Sequence, residues 1–278
     1  MGKEAIEIEL ERIARLSLAS APTRLRDSIL YSLLGPGKRI RPRLVLAVGG
    51  ALSLPREISM RLATALEMVH AFTLIHDDLP AMDNDDIRRG RPTNHKVYGE
   101  ALALLAGDSL ALLGPDTLLG LSDKLPPECV LNLLKALLEV AGARGVIAGQ
   151  ASELSLTHET SRSPEVLFEI FRQKTGALFR GALTLPAIAA GSPPTLVQSL
   201  SAWGDTLGIV FQIADDLEDD FKAEKTNPAH LASYLNFTEA RAEGIHRLEN
   251  LPTLPSNLAD ALTPFIDELV RKIEGAHP

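Results

Sequence analysis

Residues His70–Pro92 constrain this chain more than any other segment, because an apolar stretch runs into five aspartates followed by three arginines. Like charges at this density cost folding free energy unless a ligand binds them. Pro80 cannot continue a helix without losing a backbone hydrogen bond, so we expect the helix to end or bulge there. This break would bring Asp83 back beside Asp77, and the segment therefore predicts that three carboxylates, those of Asp77, Asp78 and Asp83, converge.

Oxygen ligands of this kind select hard cations, and Mg²⁺ prefers one or two carboxylates together with phosphate oxygens. The guanidinium groups of Arg88, Arg89 and Arg91 have the geometry that suits phosphate. A calcium-binding loop is excluded, because its fifth position would be Ile87 and its glycine position is an arginine. A solvated acidic loop is the alternative on this segment alone.

A second acidic cluster follows the mainly apolar segment Gly208–Ala214, with no proline between them. Asp215 and Asp219 are four residues apart, as are Gln212 and Asp216, so a helix presents both pairs on one face. Two separate helices that carry carboxylates are what a site needs to clamp one diphosphate through several metal ions. The pair of clusters therefore favours the metal site over the solvated loop.

Composition favours an all-α fold, since Leu and Ala dominate the chain and aromatic residues make up 4% of it. With 278 residues and 45% hydrophobic content, the chain can bury a large core. We expect one domain spanning 1–278, a multi-helix bundle with its active site in a central cavity, because no linker or repeat interrupts the sequence.

The net charge of −8 argues against a nucleic-acid partner. Cys129 is the single cysteine, so an internal disulfide is impossible and a cytoplasmic setting is expected. No uninterrupted apolar run reaches about 18 residues and the first residues do not form a signal peptide, so we predict no stable membrane anchor.

A basic loop at Gly37–Arg41 leads into a helix near Pro42, where cations and free N–H groups can bind an anion. Read alone, such a loop is more often plain surface. His70 shares a helical ridge with Asp77 and is weighed equally as a core residue and as a site residue.

Taken together, these segments resemble the trans-isoprenyl diphosphate synthase (polyprenyl synthetase) family, and in particular the bacterial short-chain farnesyl and geranylgeranyl diphosphate synthases. Asp77–Asp83 with Arg88–Gly90 resembles the first aspartate-rich motif of the family, and Asp215–Asp219 resembles the second. The likeness extends to Gly37–Pro42, Gly149–Gln150, Lys174–Gly176 and Phe211–Gln212, and covers about residues 30 to 220.

The resemblance implies the isoprenoid synthase fold and a transferase that joins isopentenyl diphosphate to allylic diphosphates, of dimethylallyl or geranyl type, with release of pyrophosphate. It implies about three Mg²⁺ ions and a homodimer. The implied catalytic residues are Asp77, Asp78, Asp83, Lys174, Thr175, Gln212 and Asp215. The implied substrate-binding residues are Gly37, Lys38, Arg41, His70, Arg88, Arg89 and Lys225. The implied metal ligands are Asp77, Asp78, Asp83, Asp215, Asp216 and Asp219.

The sequence departs from the family after the second motif, where Phe221–Pro228 is far shorter than the usual lysine-bearing loop. Lys222 or Lys225 would then supply the missing charge. Glu153 also stands where an aspartate is common. A terpene cyclase is disfavoured by the second motif, whereas a weakly active or non-catalytic synthase subunit remains an alternative because of the short loop.

Two cues to product length conflict. Phe72, five residues before the first aspartate, resembles the pocket floor of enzymes that stop at fifteen carbons. Asn94–Glu100 is similar to enzymes that make the twenty-carbon product. We favour farnesyl diphosphate, because a bulky side chain blocks space directly, and geranylgeranyl diphosphate is the alternative.

Overall fold

The computed structural model describes residues 3–156, 163–219, 221 and 227–277. Within these ranges the chain consists of helices joined by loops, and a single two-stranded hairpin is its sheet. The predicted all-α fold is therefore confirmed. The chain divides into two compact units, Met1–Leu137 and Leu138–Pro278. The prediction of one domain over 1–278 stays a prediction.

The first unit begins with four long helices and then forms the hairpin that follows the first aspartate motif. The elements are α1 (Lys3–Ser17), α2 (Thr23–Leu33), α3 (Ile40–Ala51), α4 (Arg56–Asp77), β1 (Ile87–Arg88), β2 (Arg91–Pro92), α5 (Asn94–Tyr98) and α6 (Glu100–Leu119). The helix α7 (Pro127–Ala141) continues from this unit into the next.

Helix α4 forms the core of the first unit and is buried on nearly every face, with α3 and α6 packed against it. A helix of this kind is stable only when other elements surround it. Glycines on α6 permit the close approach: a Cβ at Gly114 would lie 2.9 Å from Val69 and one at Gly107 would lie 2.1 Å from His76. The packing around α4 positions the first aspartate motif at its C-terminal end.

Two helices, Arg56–Asp77 and Glu100–Leu119, have the length and mean hydropathy of a membrane span, although each contains charged residues. The apolar window of the first is 89% buried, which is typical of a core helix in a water-soluble protein, whereas that of the second is 39% buried. The expectation that the chain lacks a membrane anchor stays a prediction.

The second unit is helical throughout its described part. Its elements are α8 (Val146–Leu154), α9 (Pro164–Phe171), a π-helical turn (Arg172–Gly176), α10 (Ala177–Ala189), α11 (Pro194–Glu218), a 3₁₀ turn (Leu231–Ser233), α12 (Phe237–Glu249) and α13 (Ser256–Gly275).

Glycines let two helices approach the π-helical turn closely. A Cβ at Gly208 of α11 would lie 2.2 Å from Cα of Gly176, and one at Gly149 of α8 would lie 2.4 Å from the backbone nitrogen of Lys174. Side chains at these positions would force the backbones apart. The turn that carries Lys174 and Thr175 is thus held from both sides.

Candidate active site

The first aspartate motif begins where α4 ends. The last residue of α4 is Asp77, three positions before Pro80, so the predicted break is confirmed. The backbone N–H of Asp83 donates to the carbonyl oxygen of Asp77 at 2.9 Å, and Asn84, with a φ of 55°, donates to Leu79 at 3.1 Å. The chain therefore folds back as expected, and Asp83 returns to the end of α4.

Asp78 is 4% exposed and accepts a hydrogen bond on Oδ1 from Nε of Arg88. The same guanidinium donates to Oδ2 of Asp85 at 2.9 Å. Burial raises the pKa of Asp78, and the hydrogen bond and charge of Arg88 oppose that rise. Arg88 is consequently a cation held within the acidic motif.

The β1–β2 hairpin sends two neighbouring arginines in different directions. Arg88 pairs with Arg91 across the hairpin, and the turn between them is Arg89–Gly90, with φ values of 53° and 75°. Two successive positive φ angles are typical of a tight hairpin turn. Arg88 points to Asp78, whereas Nη1 of Arg89 donates to the carbonyl oxygen of Pro36 at 3.1 Å.

Arg89 belongs to a second, cationic cluster around His70. Nε2 of His70 lies 3.3 Å from Nη1 of Arg41 and 3.3 Å from Nη2 of Arg89. A guanidinium only donates, so Nε2 accepts and the proton of the neutral ring resides on Nδ1. Burial, with the charges of Arg41 and Arg89, holds the pKa of His70 well below its usual range. The structure thus brings together His70, Arg41 and Arg89, and their role in anion binding stays a prediction.

The basic loop lies against this cluster. A Cβ at Gly37 would lie 2.7 Å from Nη1 of Arg89, so glycine permits the contact. Lys38 is exposed in the loop. The sequence interpretation counted Arg39 among the cations of this loop and did not predict its partners. Arg39 is 4% exposed, donates to Glu67 at 2.7 Å and donates to the carbonyl of Gly35 at 2.7 Å. The signal that was missed is Glu67, a glutamate that is buried in the middle of α4.

In the second unit, the π-helical turn Arg172–Gly176 carries two predicted site residues. Such turns are common at functional sites because they re-aim side chains. Lys174 donates to Oε1 of Glu153 at 2.8 Å, and both side chains are about one quarter exposed. Glu153, the position where the family usually has aspartate, is therefore the partner of Lys174.

Thr175, Gln212 and Asp216 form a chain of hydrogen bonds. The hydroxyl of Thr175 donates to Oε1 of Gln212 at 3.1 Å, and Nε2 of Gln212 donates to Oδ1 of Asp216 at 2.9 Å. Oδ2 of Asp216 accepts from the backbone N–H of Leu231 at 2.9 Å. Both oxygens of Asp216 thus have protein donors, and burial raises its pKa to about 6 despite them.

The other acidic residues of the second motif are more open to solvent. Asp215 accepts a hydrogen bond on Oδ1 from Nζ of Lys272, which also lies 3.1 Å from Oε2 of Glu218. Asp219 is 66% exposed, and its Oδ2 lies 3.9 Å from Nε2 of His230. No sequence signal marked Lys272, which lies on the last helix. Lys222 and Lys225 lie outside the described residues.

The donor sets fit a hard divalent cation. The potential ligands at both motifs are carboxylate oxygens, and Lys272 and Arg88 already place positive charge on Asp215 and Asp78. Within the described ranges, no three His, Cys, Asp or Glu side chains form a complete ligand group. Mg²⁺ commonly completes its coordination with water and substrate phosphate, so the fit is to a cation bound together with a diphosphate.

An all-helical fold with two aspartate motifs and a separate arginine cluster defines a class of transferases that act on diphosphates. A family model described as polyprenyl synthetase matches residues 22–229. The chain therefore belongs to the polyprenyl synthetase family and is a short-chain prenyltransferase.

Individual relatives agree with this assignment. The chain is 40% identical to farnesyl diphosphate synthase of Geobacillus stearothermophilus, over 80% of this chain and 74% of that protein. It is 38% identical to a chloroplastic geranylgeranyl pyrophosphate synthase of Capsicum annuum, over 75% of this chain but 56% of the longer plant protein. A crystal structure of a geranyltransferase from Legionella pneumophila matches with a TM-score of 0.84 and 32% identity, covering 98% of this chain and 94% of the other.

Proposed function

We propose that this enzyme condenses isopentenyl diphosphate with an allylic diphosphate in a Mg²⁺-dependent reaction that releases pyrophosphate. The observation that carries the proposal is the division of Arg88 and Arg89 between two sites of opposite charge. One site is acidic and suits a metal-bound diphosphate; the other, with Arg41 and His70, suits a diphosphate bound by cations directly.

The acidic residues would hold the allylic diphosphate through about three Mg²⁺ ions. In this proposal the metal ligands are Asp77, Asp78, Asp83, Asp215 and Asp219. Bound Mg²⁺ would neutralise the charge that develops on the departing pyrophosphate. Arg88 and Lys174 add fixed positive charge that would stabilise the same departing pyrophosphate. Each is held by a carboxylate, Asp78 or Glu153, so little reorganisation is needed when the diphosphate binds.

Asp216 has a different role in this proposal from the metal ligand that the sequence resemblance implied. Its two oxygens accept hydrogen bonds from Gln212 and Leu231, so it orients rather than ligates. By accepting from Nε2 of Gln212, it turns Oε1 of Gln212 toward Thr175. The hydroxyl proton of Thr175 is then committed to Gln212, which leaves the lone pairs of the threonine oxygen available to stabilise an allylic cation.

The arginine cluster would bind isopentenyl diphosphate. Arg41 and Arg89 bring two guanidinium groups to one edge of His70, and the exposed Lys38 adds an ammonium in the adjacent loop. The double bond of this substrate is the nucleophile, so the protein needs only to hold it in line with the allylic carbon. The released pyrophosphate accepts the proton lost from the condensed product.

Farnesyl diphosphate is the proposed main product. Phe72 supports it: the side chain is 6% exposed in α4, and its ring lies 5.9 Å from the ring of His76 in an edge-on arrangement. Two relatives at 40% identity, from Geobacillus stearothermophilus and Bacillus subtilis, are farnesyl diphosphate synthases by name. The geranylgeranyl synthases among the relatives keep the twenty-carbon product as the alternative.

A cytoplasmic homodimer is proposed for the enzyme. Helix α6 supports this state, because Leu104, Leu105, Leu112 and Leu119 are each at least 47% exposed. A second copy would cover this apolar face. Light scattering of wild type and of Leu112→Glu tests the oligomeric state. We expect wild type to be a dimer and Leu112→Glu to shift toward monomer. A monomeric wild type contradicts the proposal. Flotation with lipid vesicles would show that a membrane covers the face instead.

An assay of the purified enzyme tests the reaction. Incubation with isopentenyl diphosphate and dimethylallyl, geranyl or farnesyl diphosphate should yield pyrophosphate and prenyl products only when Mg²⁺ is present. Asp77→Asn should lower kcat by several orders of magnitude, or about 4 kcal/mol of barrier, without loss of fold. Near-normal turnover of this variant, or of wild type in EDTA, contradicts the proposal.

A further inference from the structure

Lys272, on the last helix α13, is a cation that contacts the second aspartate motif. Its Nζ donates to Oδ1 of Asp215 and lies 3.1 Å from Oε2 of Glu218. The lysine side chain is 11% exposed, while those of Asp215 and Glu218 are 41% and 52% exposed. The lysine side chain is therefore mostly enclosed, whereas the two carboxylates that it contacts are more open to solvent.

An aromatic face further encloses this ammonium. Nζ of Lys272 lies 5.3 Å from the ring centroid of Phe211, one helical turn before Asp215. A cation at this distance from an aromatic ring is attracted to its negative face. An exposed ion pair between lysine and a carboxylate contributes little to stability because water screens it. In the pair of Lys272 and Asp215, the lysine side chain is largely shielded from water. Packing of α13 against α11 thus keeps a positive charge on Asp215.

A carboxylate oxygen that binds an ammonium group cannot ligate a divalent cation with full strength at the same time. We propose that Lys272 is a positioning residue that competes with the divalent cation for Asp215, so that metal binds tightly there only together with a diphosphate. The inference rests on the proposed role of Asp215 as a metal ligand.

The competition has a direct physical consequence. A diphosphate contributes its own oxygen ligands to the metal, and its negative charge offers the displaced ammonium a new partner. Free metal ion supplies neither the additional oxygen ligands nor a new partner for the ammonium. Metal and diphosphate should consequently bind with positive coupling, and this coupling should depend on the charge of residue 272.

Calorimetric titration with MgCl₂, alone and in the presence of inorganic pyrophosphate, tests the inference. In Lys272→Met, Mg²⁺ alone should bind about tenfold more tightly than in wild type, and the gain in affinity on adding pyrophosphate should fall about tenfold. Lys272→Arg retains the charge and should behave like wild type. Arg271→Met, an exposed neighbour on the same helix, is the matched control and should change neither affinity.

Unchanged or weaker binding of Mg²⁺ alone by Lys272→Met overturns the inference. Thermal unfolding confirms that the variant is folded; if it is not, Lys272→Gln is measured with the same two outcomes. Asp215→Asn separates this inference from the proposed function. If Asp215→Asn leaves Mg²⁺ affinity and activity unchanged, Asp215 is not a ligand and the proposed site fails. If Asp215→Asn weakens both but Lys272→Met has no effect, only the competition is rejected.

Discussion

The backbone N–H of Leu231 donates a hydrogen bond of 2.9 Å to Oδ2 of Asp216, so a carboxylate of the second aspartate motif anchors the chain fifteen residues further on. Leu231 begins the 3₁₀ turn that follows the shortened loop. The other oxygen of this carboxylate, Oδ1, accepts a hydrogen bond from Nε2 of Gln212. One buried side chain thus connects the fold after the loop to the orientation of a proposed catalytic amide.

The first prediction concerns pH and Asp216. Its pKa is raised to about 6, chiefly by burial, above an unfolded value near 4. A raised pKa means that the contribution of this group to stability is complete below pH 4 and is lost as pH rises through 6. The Asp216→Asn variant has no ionisable carboxyl at this position, so it does not lose stability as pH rises through 6. The free energy of unfolding of the variant relative to wild type should therefore rise by up to about 3 kcal/mol between pH 4 and pH 7.

Urea unfolding at the two pH values measures this difference. The exposed Asp260, replaced by Asn, is the control and should show no such trend. A constant difference between wild type and Asp216→Asn across the range contradicts the prediction. Turnover should also fall in this variant, because an amide cannot accept both hydrogen bonds.

The second prediction separates Arg88 from Arg89. Arg88→Met removes the cation on Asp78, and the KM for the allylic diphosphate should rise more than tenfold while that for isopentenyl diphosphate changes little. Arg89→Met removes a cation on His70, and the reverse pattern is expected. Steady-state kinetics with each substrate varied in turn provides the measurement. Equal effects of the two changes on both constants would show that the hairpin does not divide the substrates.

The third prediction concerns product length. Phe72→Ala removes a buried ring from α4 and opens a cavity beside His76, so products should shift to twenty carbons or longer. Mass spectrometry of the dephosphorylated alcohols provides the measurement. Phe168→Ala is the control, since it removes a buried ring from α9. Phe72 is not the floor of the product pocket if wild type already makes mainly the twenty-carbon product. The same conclusion follows if Phe72→Ala leaves the distribution of product lengths unchanged.

The fourth prediction concerns the close approach of α11 to the π-helical turn. In Gly208→Ala the new Cβ would lie 2.2 Å from Cα of Gly176, so the backbones must separate. We expect the free energy of unfolding to fall by about 1–3 kcal/mol, which is the usual cost of overpacking. The kcat should also fall, because Thr175 moves. Gly50→Ala, a helical glycine with open space around it, should be neutral or stabilising by up to about 1 kcal/mol. Equal stability of the two variants would contradict the prediction.

The sequence by itself determined the helical class, the two aspartate motifs and the end of α4 before Pro80. These features depend on local physics. A proline lacks the N–H that a helix requires, and carboxylates four residues apart on a helix share one face whatever surrounds it. Spacing left His70 open between a core residue and a site residue, and the family resemblance marked it as substrate-binding; the structure brings it together with Arg41 and Arg89.

Only the tertiary structure decided which partner each of these side chains contacts. Lys272 and Asp215 are 57 residues apart, and Arg39 and Glu67 are 28 apart, so helix packing rather than any sequence pattern brings them together. Arg88 and Arg89 are adjacent in sequence, but the left-handed backbone at Arg89 gives them different partners. Asp216 resembles a metal ligand in the motif, yet burial beside Gln212 and Leu231 turns both its oxygens to protein donors, because a buried carboxylate is stable only where its oxygens are satisfied.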